Sequence, residues 1–328
     1  MHSIMSPTFD GVCGRWYNRA THERTSPLPP QRATVRVPAT SANLGPGFDC
    51  LGMALDLWAE VTVEARPEPL PSPAGPLLAI IEKAALALYE AAGAQAPAGL
   101  AIAWAGGKVP VARGLGASAA ARVGGLMAAN ALLGSPLSAE ELLPLAARLE
   151  GHADNAAPAL FGGLQVVVAD RGRLVHLGAT LPTGLKAVLL VPEMAMPTDE
   201  SRRLLPRELS REDAIHNIGR AALLMAALSD GRLDLLDVAT QDRLHQPARS
   251  QLFPAMEDVF RAAREAGAFC AYLSGGGSTV LALTREDEER IARAMMEAAQ
   301  ARGFEATSLV TAPSEQGAQV VAQSATGD

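Results

Sequence analysis

The chain has 328 residues, enough for one large or two ordinary domains, each with its own core. Its residues are 48% hydrophobic and 19% charged, the balance of a folded globular protein rather than a disordered one. A net charge of −7 argues against nucleic acid or an anionic membrane as partner, because both reward a basic surface. No apolar stretch reaches membrane-spanning length without a charge, Pro or Gly, and Cys13, Cys50 and Cys270 are scattered without metal-ligand spacing. These features predict free thiols in a reducing compartment and a soluble, cytoplasmic protein.

Residues 1–31 mix Arg15, Arg19 and Arg24 with Pro27, Pro29 and Pro30, follow no period and lack the apolar core of a secretory signal, which predicts a disordered extension. Alternation from Ala33 to Val37 predicts a strand, followed by a polar, Gly-rich segment from Thr40 to Asp49 and a second strand from Leu57 to Ala65. Residues Pro67 to Pro76 read as a loop, Leu77 to Ala92 as a helix ended by Gly93, and Leu100 to Trp104 as a short strand. Gly114-Leu115-Gly116 opens a long helix through Leu133, closed by Gly134 and Pro136. Ser138 with Glu141 three residues on is a capping box for a further helix to about Glu150. A polar loop from Gly151 to Pro158, a strand from Gly163 to Ala169 and a turn at Arg171-Gly172-Arg173 complete the first half. The second half opens with a buried-type strand from Leu185 to Val191, followed by helices near 210–230, 232–244 and 254–266. Strands at Cys270 to Leu273 and Thr279 to Leu283 flank a Gly275-Gly276-Gly277 loop, before a helix at 286–302 and a strand near 304–311. Strands and helices interleave in both halves, an α+β pattern, and residues 314–328 read as a loose tail.

The segment from Pro110 to Ala120 has the makings of a phosphate cradle, since glycines let backbone N–H groups converge on an anion at the start of a helix. Three other readings compete with it. A P-loop needs a lysine in the loop, and none of Lys83, Lys108 and Lys186 supplies one. Gly114-x-Gly116-x-x-Ala119 formally matches a dinucleotide fingerprint, but Pro110 sits where the preceding strand would end, and no clean strand with a terminal acid follows. A Gly-rich turn before a closely packed helix of small residues explains the pattern with no ligand at all.

Three further segments keep this loop company: Pro38 to Gly52 (PATSANLGPGFDCLG), Glu150 to Gly163 (EGHADNAAPALFGG) and Leu273 to Thr279 (LSGGGST). The four together, in order, resemble the signature set of GHMP kinases, and the first two resemble homoserine kinase specifically, over about residues 33–312. That resemblance implies a two-domain architecture, with a ribosomal-S5-like N-terminal domain over 32–184, a ferredoxin-like C-terminal domain over 185–313, and an active site in the cleft between them. It also implies ATP and Mg²⁺, phosphorylation of the L-homoserine hydroxyl in threonine biosynthesis, and an assembly that in relatives is often a homodimer.

By the same resemblance, Pro110, Arg113, Gly114, Leu115, Gly116, Ala117, Ser118, Ala119 and Ala120 hold the ATP phosphates through backbone amides. Ser118 and Glu150 stand near the metal, which prefers hard oxygen donors. Asn43 and Asp49 bind the amino acid, the carboxylate suiting its ammonium group. His152 and Asp154 lie near the substrate hydroxyl, and with Ser118 form the catalytic set. Arginine matches a carboxylate bidentately, so Arg202 (against Arg203) and Arg249 (against Arg243) are the receptors for the substrate carboxylate. Ala117 departs from the serine many relatives carry there, and Gly276-Gly277-Ser278 replaces the more usual Ser-Gly-Pro style. The rival functions are a GHMP kinase for another alcohol, such as mevalonate or a sugar, and a catalytically silent nucleotide-binding relative.

Overall fold

The computed structural model describes residues 31–107 and 109–324; the extension expected over 1–31 therefore lies outside the described residues apart from Gln31, as does Cys13. Strand β1 (Arg32–Asn43) begins where the alternation begins, with Ala33, Val35 and Val37 fully buried. It runs on through the polar segment expected as a loop and turns at Leu44–Pro46 into a long antiparallel partner, β2 (Gly47–Arg66). Alternation vanishes there because the strand is covered on both faces. Thr40, Ser41 and Asn43 are buried yet hydrogen-bonded, which is how polar residues survive inside.

β2 is long enough to carry two further partners on one edge. Its start pairs with β4 (Leu164–Asp170) and its end with β3 (Gly99–Ala105). A fifth strand, β5 (Arg173–Ala179), forms a hairpin with β4 through the expected turn; Val175 and Leu177 face solvent while His176 is half-buried, so no apolar-inward alternation announces it. Helices α1 (Pro76–Ala91), α2 (Ala117–Leu132), α3 (Ala139–Glu150) and α4 (Ala156–Phe161) share one core with this sheet. The capping box of α3 forms as the sequence predicts. α4 takes up the end of the segment expected as a loop.

The second half builds an antiparallel sheet from β6 (Lys186–Pro192), β7 (Cys270–Leu273), β8 (Val280–Thr284) and β9 (Ala306–Thr311), in spatial order β9-β6-β8-β7. With α9 (Met256–Glu265) before β7 and α10 (Glu288–Gln300) before β9, this is a βαββαβ unit in the ferredoxin-like order. Inserted between β6 and α9 are α5 (Thr198–Arg203), α6 (Arg211–Ser229), α7 (Leu236–Ala239) and α8 (Gln246–Arg249). The single helix expected over 232–244 does not form. Asp242 accepts hydrogen bonds from the N–H groups of Leu244, His245 and Gln246, and this local competition breaks the chain between α7 and α8.

The residues expected as a loose tail instead include β10 (Gln319–Ser324), paired antiparallel with β1. All six of its side chains are exposed, so backbone hydrogen bonding alone recruits it and no hydrophobic pattern announces it. The two sheets are joined by a common apolar layer in which Leu44, Met53, Leu55 and Leu115 meet Leu189, Tyr272 and Leu281. Alternate residues of β6 divide between that layer (Ala187, Leu189, Val191) and a second core against α9 and α10 (Val188, Leu190), the period-2 signature of a strand buried on both faces. No helix among the described residues is long and apolar enough to cross a membrane.

Candidate active site

Where the two sheets meet, the β1–β2 turn, the loop before α2, the segment after α3 and the β7–β8 loop converge on a cleft of about 590 Å³. Of the residues singled out in the sequence, Asn43, Asp49, Arg113 to Ser118, Glu150, His152, Asp154, Arg202 and Arg249 line it. Pro110, Ala119 and Ala120 do not. Pro110 has no N–H to offer, and Ala119 and Ala120 turn their side chains into the core, at 1% and 0% exposure.

The loop owes its path to two glycines. Gly114 (φ 77°) and Gly116 (φ 68°) both sit in the left-handed region that side chains disfavour. A Cβ on Gly114 would stand 2.1 Å from the Ser274 carbonyl oxygen, and one on Gly116 would stand 1.9 Å from Thr40 Oγ1. Gly116 is the N-cap of α2 and offers no side chain to cap it, so the N–H groups of Ala117, Ser118 and Ala119 have no acceptor within the helix. The β7–β8 loop clamps this turn. Thr279 N–H donates to Arg113 O (3.0 Å), Ser274 Oγ donates to Gly114 O (2.7 Å), and Gly275 N–H donates to Ala42 O (3.0 Å). The Arg113 side chain donates from Nη1 to the loop's own Ala112 carbonyl (3.2 Å) and from Nε and Nη2 to the carbonyls of Pro192 (2.9 Å) and Glu193, tying the loop to the second sheet.

Facing the turn is a set of charges that hold one another. Arg202 grips Asp49 bidentately, Nη1 to Oδ2 at 2.9 Å and Nη2 to Oδ1 at 2.6 Å. Arg249, 1% exposed, donates from Nη1 to Gly275 O and to His245 Nδ1, both at 2.9 Å. Because His245 Nδ1 accepts, its proton is on Nε2, which donates to Gly45 O at 2.8 Å. Burial drives the His245 pKa down to about 4, so the ring is neutral. Burial, with the nearby Arg202 charge, lowers Arg249 to about 10, still charged at neutral pH. Arg249 Nε is buried without a partner among the described residues, a donor still to be satisfied. Both guanidinium groups lie over the Phe48 ring, at 5.4 Å for Arg202 and 5.5 Å for Arg249. Their sequence rivals stand elsewhere: Arg203 is exposed and Arg243 pairs with Glu212 and Asp213.

Asn43 is used mostly as a bracket. Its Oδ1 accepts from Asp49 N–H (3.0 Å) and its Nδ2 donates to Gly275 O (2.9 Å). Asp154, 2% exposed, takes both His152 Nδ1 and Asn155 Nδ2 on Oδ1; Asn155 in turn accepts from Thr40 Oγ1 at 2.7 Å. Oδ2 of Asp154 has no partner among the described residues. Burial works to lower the His152 pKa, but the hydrogen bond and charge of Asp154, with Glu150 behind, outweigh it and raise the pKa overall. Ser118 Oγ donates to Glu150 Oε2 (3.2 Å), and Arg122 Nη1 hydrogen-bonds both oxygens.

Sequence reasoning missed Thr40, Asn155, His245 and Arg122. His245 had a signal, lying four residues before Arg249 and thus beside it on one helical turn. Arg122 had one too, as the sole charge in the Ala- and Gly-rich α2.

A family model for the GHMP kinases N terminal domain matches residues 79–163, and one for the GHMP kinases C terminal domain matches residues 213–301. The chain is 44% identical over 295 residues to the homoserine kinase of Moorella thermoacetica, covering 88% of this chain and 99% of that one. The crystal structure of homoserine kinase from Cytophaga hutchinsonii superposes with a TM-score of 0.79 at 29% identity, over 92% of this chain and 100% of that one. The crystal structure of L. major mevalonate kinase matches at a TM-score of 0.63 and 17% identity over 88% of this chain and 99% of that one, a likeness of fold alone.

Proposed function

The chain belongs to the GHMP kinase family, among its homoserine kinases, and from that membership we propose that it transfers the terminal phosphoryl group of ATP to the hydroxyl of L-homoserine. The observation that carries this reading is a single cleft with two unlike walls. One wall offers free helix-terminal amides for phosphates, and the other holds Asp49, Arg202 and Arg249, receptors for an ammonium and a carboxylate. Neither mevalonate nor a neutral sugar carries both charges.

The N–H groups of Ala117 and Ser118 hold phosphate oxygens without a lysine, and the clamped turn keeps them aimed there before ATP arrives. Asp49 takes the substrate ammonium; Arg202 and the unsatisfied Nε of Arg249 take its carboxylate. Since Asp49 and Arg202 grip each other in the free protein, a zwitterion enters by exchanging one ion pair for two. Asp154 keeps Oδ1 on His152 and Asn155, which leaves Oδ2 to accept from the substrate hydroxyl. We assign it mainly orientation, because phosphoryl transfer proceeds through a loose transition state that rewards positioning and charge stabilisation.

We extend the reading to Mg²⁺ at Ser118 and Glu150. The pair offers two hard oxygens 3.2 Å apart, and among the described residues no group of three or more His, Cys, Asp or Glu gathers to hold a metal. That donor set fits an ion whose remaining ligands are the nucleotide's own phosphates. Bound there, it would neutralise phosphate charge as it shifts during transfer. On family grounds we also extend the reading to a cytoplasmic homodimer.

The direct test is a coupled assay of ADP release with L-homoserine, R-mevalonate and D-galactose. Turnover with homoserine alone is expected. Faster turnover with either of the others, or ATP binding with no alcohol turned over, would overturn the proposal.

A further inference from the structure

Helix α2 is made of small and apolar residues with one charge, Arg122, between the fully buried Ala121 and Val123. Standing four residues after Ser118, it lies on the same helical face. Its Nη1 reaches Ser118 Oγ, the Ser118 carbonyl (3.2 Å) and Glu150 Oε2, while Nε donates to Leu149 O at 3.0 Å. The guanidinium therefore sits on the same two oxygens read above as metal ligands. Both side chains of the ion pair are largely enclosed, Arg122 at 16% and Glu150 at 11% exposure, so the pairing compensates a carboxylate that would otherwise be costly there. A guanidinium and a divalent cation compete for these oxygens, since like charges this close repel strongly when partly desolvated. Arg122 has somewhere to go. A cavity beside the cleft is lined by Ser118, Arg122, Glu150, His152, Pro197 and Arg202, among others.

We propose that Arg122 is a built-in counter-ion of the Ser118–Glu150 pair, which an incoming divalent cation must displace. The free protein then holds the ion weakly. Nucleotide phosphates reverse the balance by offering ligands to the metal and an anionic partner to the released guanidinium. Metal and nucleotide are thereby coupled, each raising the affinity for the other, as linkage requires. This inference rests on the metal reading of Ser118 and Glu150.

The test uses Mn²⁺ as probe, with its free concentration followed by electron paramagnetic resonance on the full chain, with and without a non-hydrolysable ATP analogue. Without nucleotide, R122Q should bind Mn²⁺ about tenfold more tightly than the native protein, the equivalent of one lost charge-assisted hydrogen bond in the competitor. The gain in Mn²⁺ affinity on adding the analogue should shrink by the same factor. R122K, which keeps the charge and loses the fork, should fall between the two and serves if R122Q does not fold. Arg122 variants that bind Mn²⁺ as the native chain does, both with and without nucleotide, would overturn the displacement. The E150Q variant separates the two claims. If it leaves Mn²⁺ binding in the nucleotide complex intact, the metal reading falls and this inference with it. If it abolishes that binding while the Arg122 variants change nothing, only the displacement falls.

Discussion

The two walls of the cleft are made of different materials. The wall proposed for nucleotide, from Gly114 to Ser118, is main chain: amides with no acceptor within the helix, left-handed glycines and the buried side chains of Leu115 and Ala117. The wall proposed for the amino acid is side chain: Asp49, Arg202 and Arg249, each already holding a neighbour, with His245 buried behind. The first wall can be damaged only by adding atoms, and the second only by removing them. Every prediction below either breaks that contrast or sharpens it.

Adding atoms should have the largest effect. Gly116→Val sets a branched side chain at φ 68°, where even a Cβ would meet Thr40 Oγ1 at 1.9 Å. Isothermal titration should show ATP affinity falling at least ~100-fold, about 3 kcal/mol, with a folded far-ultraviolet spectrum retained. Undiminished affinity in a folded variant would mean that the amides of this turn do not bind phosphate, and the contrast between the walls would collapse.

The same contrast explains what could be read from the sequence. Main-chain sites need glycines and small residues at fixed spacing, so the turn before α2 and the Gly-rich β7–β8 loop were visible, as were the ordinary strands and helices with clean periods. The charged residues proposed as receptors were singled out because four motifs in order resembled a family; spacing to the Leu-Pro pair then favoured Arg202 over Arg203, and the second arginine-bearing motif was read with Arg249 ahead of Arg243. What stayed hidden was set by tertiary context. β1 and β2 extend through a polar segment because the other sheet covers it. β10 is held by edge hydrogen bonds that need no particular side chain. Arg122 is polar where its helix is apolar, which marks it as unusual but does not reveal that Glu150, 28 residues on, is its partner.

Removing atoms from the amino-acid wall comes next in size. Arg249→Ala deletes a buried guanidinium with an unsatisfied Nε, the donor we assign to the substrate carboxylate. Steady-state kinetics should show KM for homoserine rising by the equivalent of about 2–5 kcal/mol, with KM for ATP nearly unchanged. An equal rise in both constants would point to general loosening of the cleft and blur the division between its walls.

His245 tests the support behind that wall through pH. Its folded pKa of about 4 lies below the ordinary value of 6.5, so the unfolded chain takes up a proton the folded one refuses. The stability tied to the neutral ring is complete above about pH 6.5 and is lost as pH falls towards 4. The loss should be on the order of 3 kcal/mol across that window. Urea unfolding at pH 7, 6, 5 and 4 should show H245Q less stable at neutral pH but with a flatter acid slope than the native chain. Parallel slopes would mean that the ring is not held neutral by burial.

The smallest stability effect belongs to the Asp49–Arg202 pair, and here smallness is the prediction. The pair is bidentate, but its side chains are 36% and 33% exposed, so solvent screens most of what the short contacts suggest. D49N and R202Q should each change unfolding free energy by no more than about 1 kcal/mol. Each should nevertheless raise KM for homoserine by at least roughly tenfold, because the substrate's ammonium or carboxylate would lose a charge-assisted partner. A structural ion pair would give the opposite ratio, a clear loss of stability with little change in KM. If that ratio appeared, the two residues would be a strut between β2 and α5, and the exchange of one ion pair for two on substrate entry would have no basis.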